Sequence, residues 1–460
     1  MSKNLQSSMN SNFEKFILVI ILTALPSLIF TDVYSQTWAP LGNGIDGAVL
    51  SLTVCNNELI VGGSFSYAGG LNANNIAKWN GVDWALLGSG MNNSVEVLAV
   101  YNGQLFAGGY FTAAGGSNAS KIAKWNGVDW ETVGNGLSPG HVNALIVYNN
   151  ELIAGGDFYY AGSLFTNRIA KWNGISWATL GGGMQNYVWA LAVYNNELIA
   201  GGNFTTADSL NIINLAKWNG TAWSSLGSDL TLNNTRVSAL VVYNNQLIVG
   251  GWFTTIGGVN ANCIARWDGT TWAPLGNGLG IYVRALAVYN GELIAGGSFQ
   301  LGGGSNLNYL AKWTGSKWVT LGTGVNNIVS SLALYDNELI VGGTFTMAGG
   351  NSAAKIASWS VLTNIKQINI EIPTSFSLYQ NYPNPFNPTT NIRYNLPKNS
   401  FMKLVVFDML GHEIETLVNE KQSAGTYEAK FNASQYPSGV YFYKLTTDDF
   451  SETKKMLMIK

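Results

Sequence analysis

Apolar and polar positions along this chain fall into short β-rich runs separated by two-residue polar breaks. Ala190 to Tyr194 is one run, Asn195 and Asn196 the break, and Glu197 to Ala200 the next run; Asn-Gly or Asp-Asn occupies the break in other copies. Two such runs across such a pair predict an antiparallel hairpin with a I′-type turn. A double glycine closes each hairpin, beginning at Gly62, Gly108, Gly155, Gly201, Gly250, Gly296 and Gly342, with spacings of 46, 47, 46, 49, 46 and 46 residues. Self-similarity at that period means seven copies of one unit.

The second half of each unit reads Ile-Ala-Lys-Trp-Asn-Gly-x-x-Trp, as from Ile122, with Asn126 and Gly127 marking another tight turn. Each unit therefore predicts four antiparallel strands, and the fold class is all-β: a seven-bladed β-propeller of four-stranded blades. Fourteen of the 16 tryptophans occupy the two repeated positions, which makes them packing residues. The strand motif Trp38 to Gly42 stands alone at the front, while the seventh unit stops at Trp359 without its own outer strand. The N-terminal strand is expected to complete the last blade, closing the ring and removing exposed sheet edges. The double glycine followed by a spaced aromatic pair resembles kelch-type propeller repeats, and the Ile-Ala-Lys-Trp-Asn-Gly-x-x-Trp run resembles the repeats of Rax2-like surface marker proteins.

Composition agrees with a strand-and-turn protein, since Gly 54, Trp 16 and Tyr 21 stand against 11% charged residues. A net charge of −2 without a basic cluster argues against nucleic acid. Cys55 and Cys263 sit in units far apart around the ring, so no disulfide is expected between them. Lys3, Lys15, the apolar run from Phe16 to Phe30 and then Val33 and Ser35 form the pattern of a signal peptide over 1–35, cleaved between Ser35 and Gln36. No later apolar stretch is long enough to span a bilayer, so no transmembrane segment is expected in the mature chain.

The repeat ends with the propeller at 36–360, a connector is expected over 361–371, and a small Ig-like β-sandwich over 372–460. The last of these resembles the type A C-terminal sorting domain of the type IX secretion system. Pro383, Asn384, Pro385, Gly411, Gly425, Gly439, Tyr441, Lys455 and Lys460 carry the resemblance, in the family's order. It implies Sec export and then passage across the outer membrane of a Gram-negative bacterium through the type IX translocon, to the cell surface or beyond. The prolines alone would also suit a rigid linker.

Catalytic motifs are scarce. The propeller has a single histidine, His141, expected in solvent and too few for the multi-histidine copper site of a kelch-type oxidase. Glu58, Glu151, Glu197, Glu292 and Glu338 all follow the first hairpin turn and read as a structural ring. Neither a catalytic residue, a metal nor a cofactor is assigned.

Repeat comparison gives more. An invariant Val is followed by Leu50, Glu96, Asn143, Trp189, Ser238, Arg284 and Ser330, and the double glycine by Ser64, Tyr110, Asp157, Asn203, Trp252, Ser298 and Thr344. Positions fixed in all copies serve the fold, and positions that change chemistry are free for function. Both columns open on the face that also gathers the variable loops, including Tyr159, Tyr160, Tyr187, Tyr282 and an expansion near Asp229 to Arg236. The ligand-binding candidates are Glu96, Tyr110, Asn143, Asp157, Trp189, Asn203, Trp252 and Arg284. Aromatic rings beside amides, acids and Arg suit a glycan or protein ligand. The expected function is a secreted or surface binding protein, and the alternative is an extracellular polysaccharide-processing enzyme.

Overall fold

The structure, a computed structural model, describes residues 36–227, 235–361, 365–369, 372–434 and 436–459. The expected signal peptide, with Ser35, lies outside the described residues, as do Lys460 and most of the expansion after Asp229. Among the described residues every regular element is a strand, so no helix there is long and apolar enough to cross a membrane.

The first repeat folds as Ala48–Cys55, Glu58–Ser64, Ile76–Trp79 and Trp84–Leu86, paired antiparallel in that order. Five further sheets repeat this plan, with inner strands Val95–Tyr101, Val142–Tyr148, Val188–Tyr194, Arg236–Tyr243 and Val283–Tyr289. In a seventh, Val329–Tyr335, Glu338–Gly343 and Ile356–Val361 take Gln36–Pro40 as their outer strand, with Trp38 opposite Trp359. Each inner strand touches the inner strands before and after it, the first and seventh included, so the succession closes into a β-propeller.

The repeated residues explain the closure. Asn56 and Asn57 take φ of 51° and 61°, the left-handed pair that a I′ turn demands and that Asn accepts at low cost. The first glycine of each pair lies against the invariant Val of the next sheet: a Cβ on Gly62 would stand 2.6 Å from Val95 Cγ1. At the rim, each sheet pairs its two tryptophans with centroids 5.0 to 5.3 Å apart. The Trp84 indole N–H donates to the Leu41 carbonyl of the preceding unit at 3.1 Å, and Trp130 to Leu87 at 2.9 Å. Tyr101, Tyr148 and Tyr194 donate their hydroxyls to turn carbonyls of the following sheet. Glu58, Glu151, Glu197 and Glu292 pair with the Lys of the third strand of their own sheet. In the seventh repeat Ser358 occupies the Lys position beside Glu338.

The C-terminal residues form two four-stranded sheets. One orders Ile365–Asn369, Gly425–Asn432, Thr389–Leu396 and Ser377–Leu378; the other orders Glu413–Gln422, Ser400–Phe407, Gly439–Thr447 and Ser451–Met458. They enclose one core that includes Tyr394, Phe431, Tyr443 and Met456. One expectation changes here. Ile365–Asn369, expected within a connector, is an edge strand that pairs Ile365 with Ala429 and Asn369 with Thr426, because Gly425–Asn432 leaves one edge free for it. The proline run is not a free spacer either. Phe386 is buried at 2%, its N–H donates to the Leu457 carbonyl at 3.0 Å, and Asn384 Oδ1 accepts from the Leu457 N–H at 2.9 Å. The motif thereby clasps the last strand, whose exposed side includes Lys455. Gly411 turns the chain at φ 84° beside Asp408, whose Oδ1 accepts from Leu410 and His412. Tyr441, two residues after Gly439, is buried and donates to the Pro437 carbonyl at 2.6 Å. Both thiols, Cys55 and Cys263, are buried and free.

Candidate functional site

Every inner strand breaks register at the same place. Ladder pairing passes from Val49 to Ser51, Val95 to Val97, Val142 to Ala144 and Val188 to Ala190, and likewise from Val237, Val283 and Val329. The skipped residues are Leu50, Glu96, Asn143, Trp189, Ser238, Arg284 and Ser330, the first varied column. A bulge residue is left out of the ladder and its side chain is re-aimed, so the sheet sets few terms on its identity. The second glycine of each pair exists for the same crossing, since a Cβ on Gly63, Gly156 or Gly297 would strike the carbonyl oxygen of Ala48, His141 or Tyr282.

Those carbonyls belong to a third column, directly before the invariant Val: Ala48, Ser94, His141, Tyr187, Arg236, Tyr282 and Ile328. They accept from the N–H groups of the second column, Ser94 from Tyr110 at 3.0 Å, His141 from Asp157 at 3.1 Å and Tyr187 from Asn203 at 3.2 Å. Three varied side chains thus converge at one corner of each sheet.

Consecutive corners connect into an arc. Tyr110 stacks on the His141 ring with centroids 3.8 Å apart. His141 lies 6.1 Å from Trp189, and Tyr187 stacks on Trp189 at 5.3 Å. The Arg236 guanidinium carbon sits over that indole, 3.4 Å from the ring centre. Arg236 also lies 5.4 Å from the Tyr282 ring, over which Arg284 sits at 4.7 Å. Five sheets, second to sixth, contribute in order. The seventh and first offer Ile328, Ser330, Thr344, Ala48, Leu50 and Ser64 at these points, which leaves the arc open there.

Hydrogen bonds set the individual groups. Ser94 donates to Glu96 Oε1 at 2.7 Å, the Trp189 indole N–H to Asn203 Oδ1 at 3.3 Å, and Arg284 Nε to Ser298 Oγ at 3.2 Å. Asn143 reaches instead to the Val188 carbonyl at 3.4 Å, outside the stacked row. Trp252 is the register partner of Arg236. It is 58% exposed and lines an open cleft of about 650 Å³ with Thr254, Asn262, Asn277 and Ile281.

His141 is expected in solvent from its loop position; instead it is buried, at 4% exposure. Asp157 Oδ1 draws it in, standing 2.8 Å from Nδ1 and accepting the His141 backbone N–H as well. Nε2 is buried without a hydrogen-bond partner among the described residues. Burial alone would raise the Asp157 carboxyl, but the hydrogen bonds from His141 outweigh it and hold the group below the usual carboxylate range. Tyr110 is pushed up by burial and then by Glu96, Asp157 and Tyr187. Arg236 is pulled below the ordinary arginine value by burial, with Arg284 adding to the effect and Tyr282 opposing it.

Of the eight candidates, the structure joins Tyr110, Asp157, Trp189, Asn203 and Arg284 in one network and places Glu96 near Tyr110. His141, Arg236 and Tyr282 complete it. Trp189 is half-buried and packed against Tyr187 and Arg236, not an open platform. Among the described residues no group of three or more His, Cys, Asp or Glu is placed to hold a metal ion.

Residues 380–460 match the family described as a secretion system C-terminal sorting domain. This tail is a type IX sorting domain. A sorting domain of this kind engages the type IX secretion machinery and sends its chain to the cell surface or the extracellular space. Residues 244–267, which span the second and third strands of the fifth sheet and the loop between them, match a beta-propeller family described as a domain of unknown function. No curated protein matches the sequence. Among solved structures, a fungal alcohol oxidase of the AA5 family in complex with copper aligns at 11% identity and TM-score 0.45, over 92% of this chain and 100% of that one. A Salmonella alpha-2-macroglobulin variant aligns at 11% identity and TM-score 0.16, over 92% of this chain and 26% of that one.

Proposed function

We propose that this chain is a secreted or surface-attached binding protein whose propeller takes a glycan or protein ligand at the face where the bulged corners meet. In this reading residues 1–35 are a signal peptide removed before Gln36. The seven sheets are the blades of a kelch-like propeller, and an Ig-like sandwich carries the chain out of a Gram-negative cell. The observation that carries the binding role is the arc from Tyr110 through His141, Trp189 and Arg236 to Arg284. It spends aromatic area and charge on positions where the fold accepts Ser or Ala in other repeats. Flat rings beside hydrogen-bonding and charged groups are the composition of recognition surfaces.

An array of glycans and extracellular matrix proteins probed with the chain from Gln36 onward tests this. The expected ligand loses affinity on Tyr110→Ala and on Arg284→Gln, while a ligand indifferent to both would move the site off this face. The Asp157-held imidazole of His141 favours a second reading, polysaccharide processing, because an acid-oriented His is a common general base. Turnover of a polysaccharide abolished by His141→Gln would support it, and binding without turnover would reject it.

A further inference from the structure

We infer that the ligand is an anionic polysaccharide, its acid groups bound by Arg284 and Arg236 on the cationic side of the propeller face. This rests on the binding role proposed above and assigns its chemistry.

Charge is unevenly spread around the ring of corners. Within the three varied columns the acids, Glu96 and Asp157, belong to the second and third sheets and are already engaged by Ser94 and His141; Lys121 and Arg168 stand on that side too, and the loops of the first and fourth sheets add Asp46 and Asp208. The fifth, sixth and seventh sheets supply Arg236, Arg284 and Lys355, the last donating to the Thr344 carbonyl at 3.2 Å. On this face their described loops, residues 252–263, 275–282, 298–309, 321–328 and 344–355, contain no Asp or Glu. Neither Arg236 nor Arg284 has a carboxylate partner among the described residues, and both guanidiniums lie against the Tyr282 ring, 5.4 and 4.7 Å from its centre.

Two guanidiniums that repel one another, one of them half-buried, raise the free energy of the empty face. An anion bound beside both guanidiniums offsets that repulsion and receives the fork of hydrogen bonds that guanidinium offers to carboxylate or sulfate. Room exists beside Arg284, where the seventh and first sheets present uncharged side chains such as Ser330, Thr344 and Ser64. A sugar polymer fits better than an acidic peptide. Trp252, opposite Arg236 in register, exposes its ring beside Asn262 and Asn277, a flat apolar surface edged with amides for ring faces and hydroxyls.

The test is binding of the full chain to polygalacturonate, dextran sulfate, neutral dextran and poly-L-glutamate, by calorimetry at two salt concentrations. Polygalacturonate, dextran sulfate or both should bind, more weakly at the higher salt, and the two distinguish carboxylate from sulfate as the anion. Arg284→Gln should weaken binding at least tenfold and Arg284→Lys less. Arg284 is exposed, so these variants keep the fold, which an unchanged melting temperature verifies. Equal binding of neutral dextran, no binding of either anionic glycan, tighter binding of poly-L-glutamate, or indifference to Arg284→Gln would overturn the inference. A neutral or protein ligand lost on Tyr110→Ala but kept in Arg284→Gln would overturn it while leaving the binding role standing.

Discussion

Gly342 leaves no room for a side chain against Val49: an added Cβ would overlap Val49 Cγ1 and stand 3.1 Å from its Cβ. The contact joins the seventh sheet to the first, so the two ends of a chain of seven repeats are fitted to one another as closely as any neighbouring pair. Gly342→Ala should cost about 1–3 kcal/mol, the usual range for an overpacked core. Adding Val49→Ala should recover part of that loss. A double-mutant cycle by urea denaturation checks it, and additive effects would mean that the seam is looser than described.

Closure also depends on Trp38, whose ring lies 5.1 Å from Trp359 in the sheet that the N-terminal strand completes. Trp38→Ala should lower stability by about 2–4 kcal/mol, and removal of residues 36–42 by more, because an unpaired sheet edge is then exposed. Thermal unfolding measures both, and an unchanged midpoint would count against the shared sheet.

Trp189 and Trp252 should part company. With Tyr187 stacked on it at 5.3 Å and Arg236 over the ring at 3.4 Å, Trp189→Ser removes two ring contacts and should cost about 1–2 kcal/mol. Trp252→Ser, at an exposed ring, should stay within about 1 kcal/mol. Comparing the two urea midpoints settles the difference.

Asp157 gives a pH signature. Its folded carboxyl titrates below the unfolded value of about 4, so its contribution is complete above that value and disappears as pH falls through the folded one. Asp157→Asn should therefore be less stable than wild type near pH 6, by about 1–3 kcal/mol for a lost charge-assisted bond. The gap should narrow steadily below about pH 4. A gap that persisted undiminished to pH 2 would show that packing, not the carboxylate, is responsible.

The tail should be needed for export and not for the propeller, because all seven sheets are complete by Val361. A chain ending at Thr363 should melt like the propeller of the full protein yet accumulate in the periplasm. Its appearance in the medium at normal levels would refute the division of labour.

Repetition made most of the frame legible before any coordinates. Gly62 and its counterparts and the paired tryptophans announce a packing role seven times over, and the lone strand at Trp38 supplies the outer strand that the last repeat lacks. The varied columns after Val49 and after Gly63 were legible too, yet the bulge that frees Leu50 and its counterparts is a register effect with no residue signature of its own. The column at His141, Arg236 and Tyr282 could have been found by aligning one position upstream of the invariant Val. What no alignment of repeats could supply is the bond between His141 and Asp157, sixteen residues apart, which converts a loop histidine into a buried one. Ile365–Asn369 escaped because a five-residue strand before a proline-rich stretch differs from a connector only when a free sheet edge lies beside it.

The skipped residue of each inner strand has an evolutionary reading. A side chain outside the ladder can mutate without disturbing pairing, and the two glycines beside it protect the corner from crowding, so novelty there is insulated from misfolding. Seven such points on one ring, copied whole whenever a repeat is duplicated, let a lineage revise what the face recognises by single substitutions while the architecture is inherited unchanged.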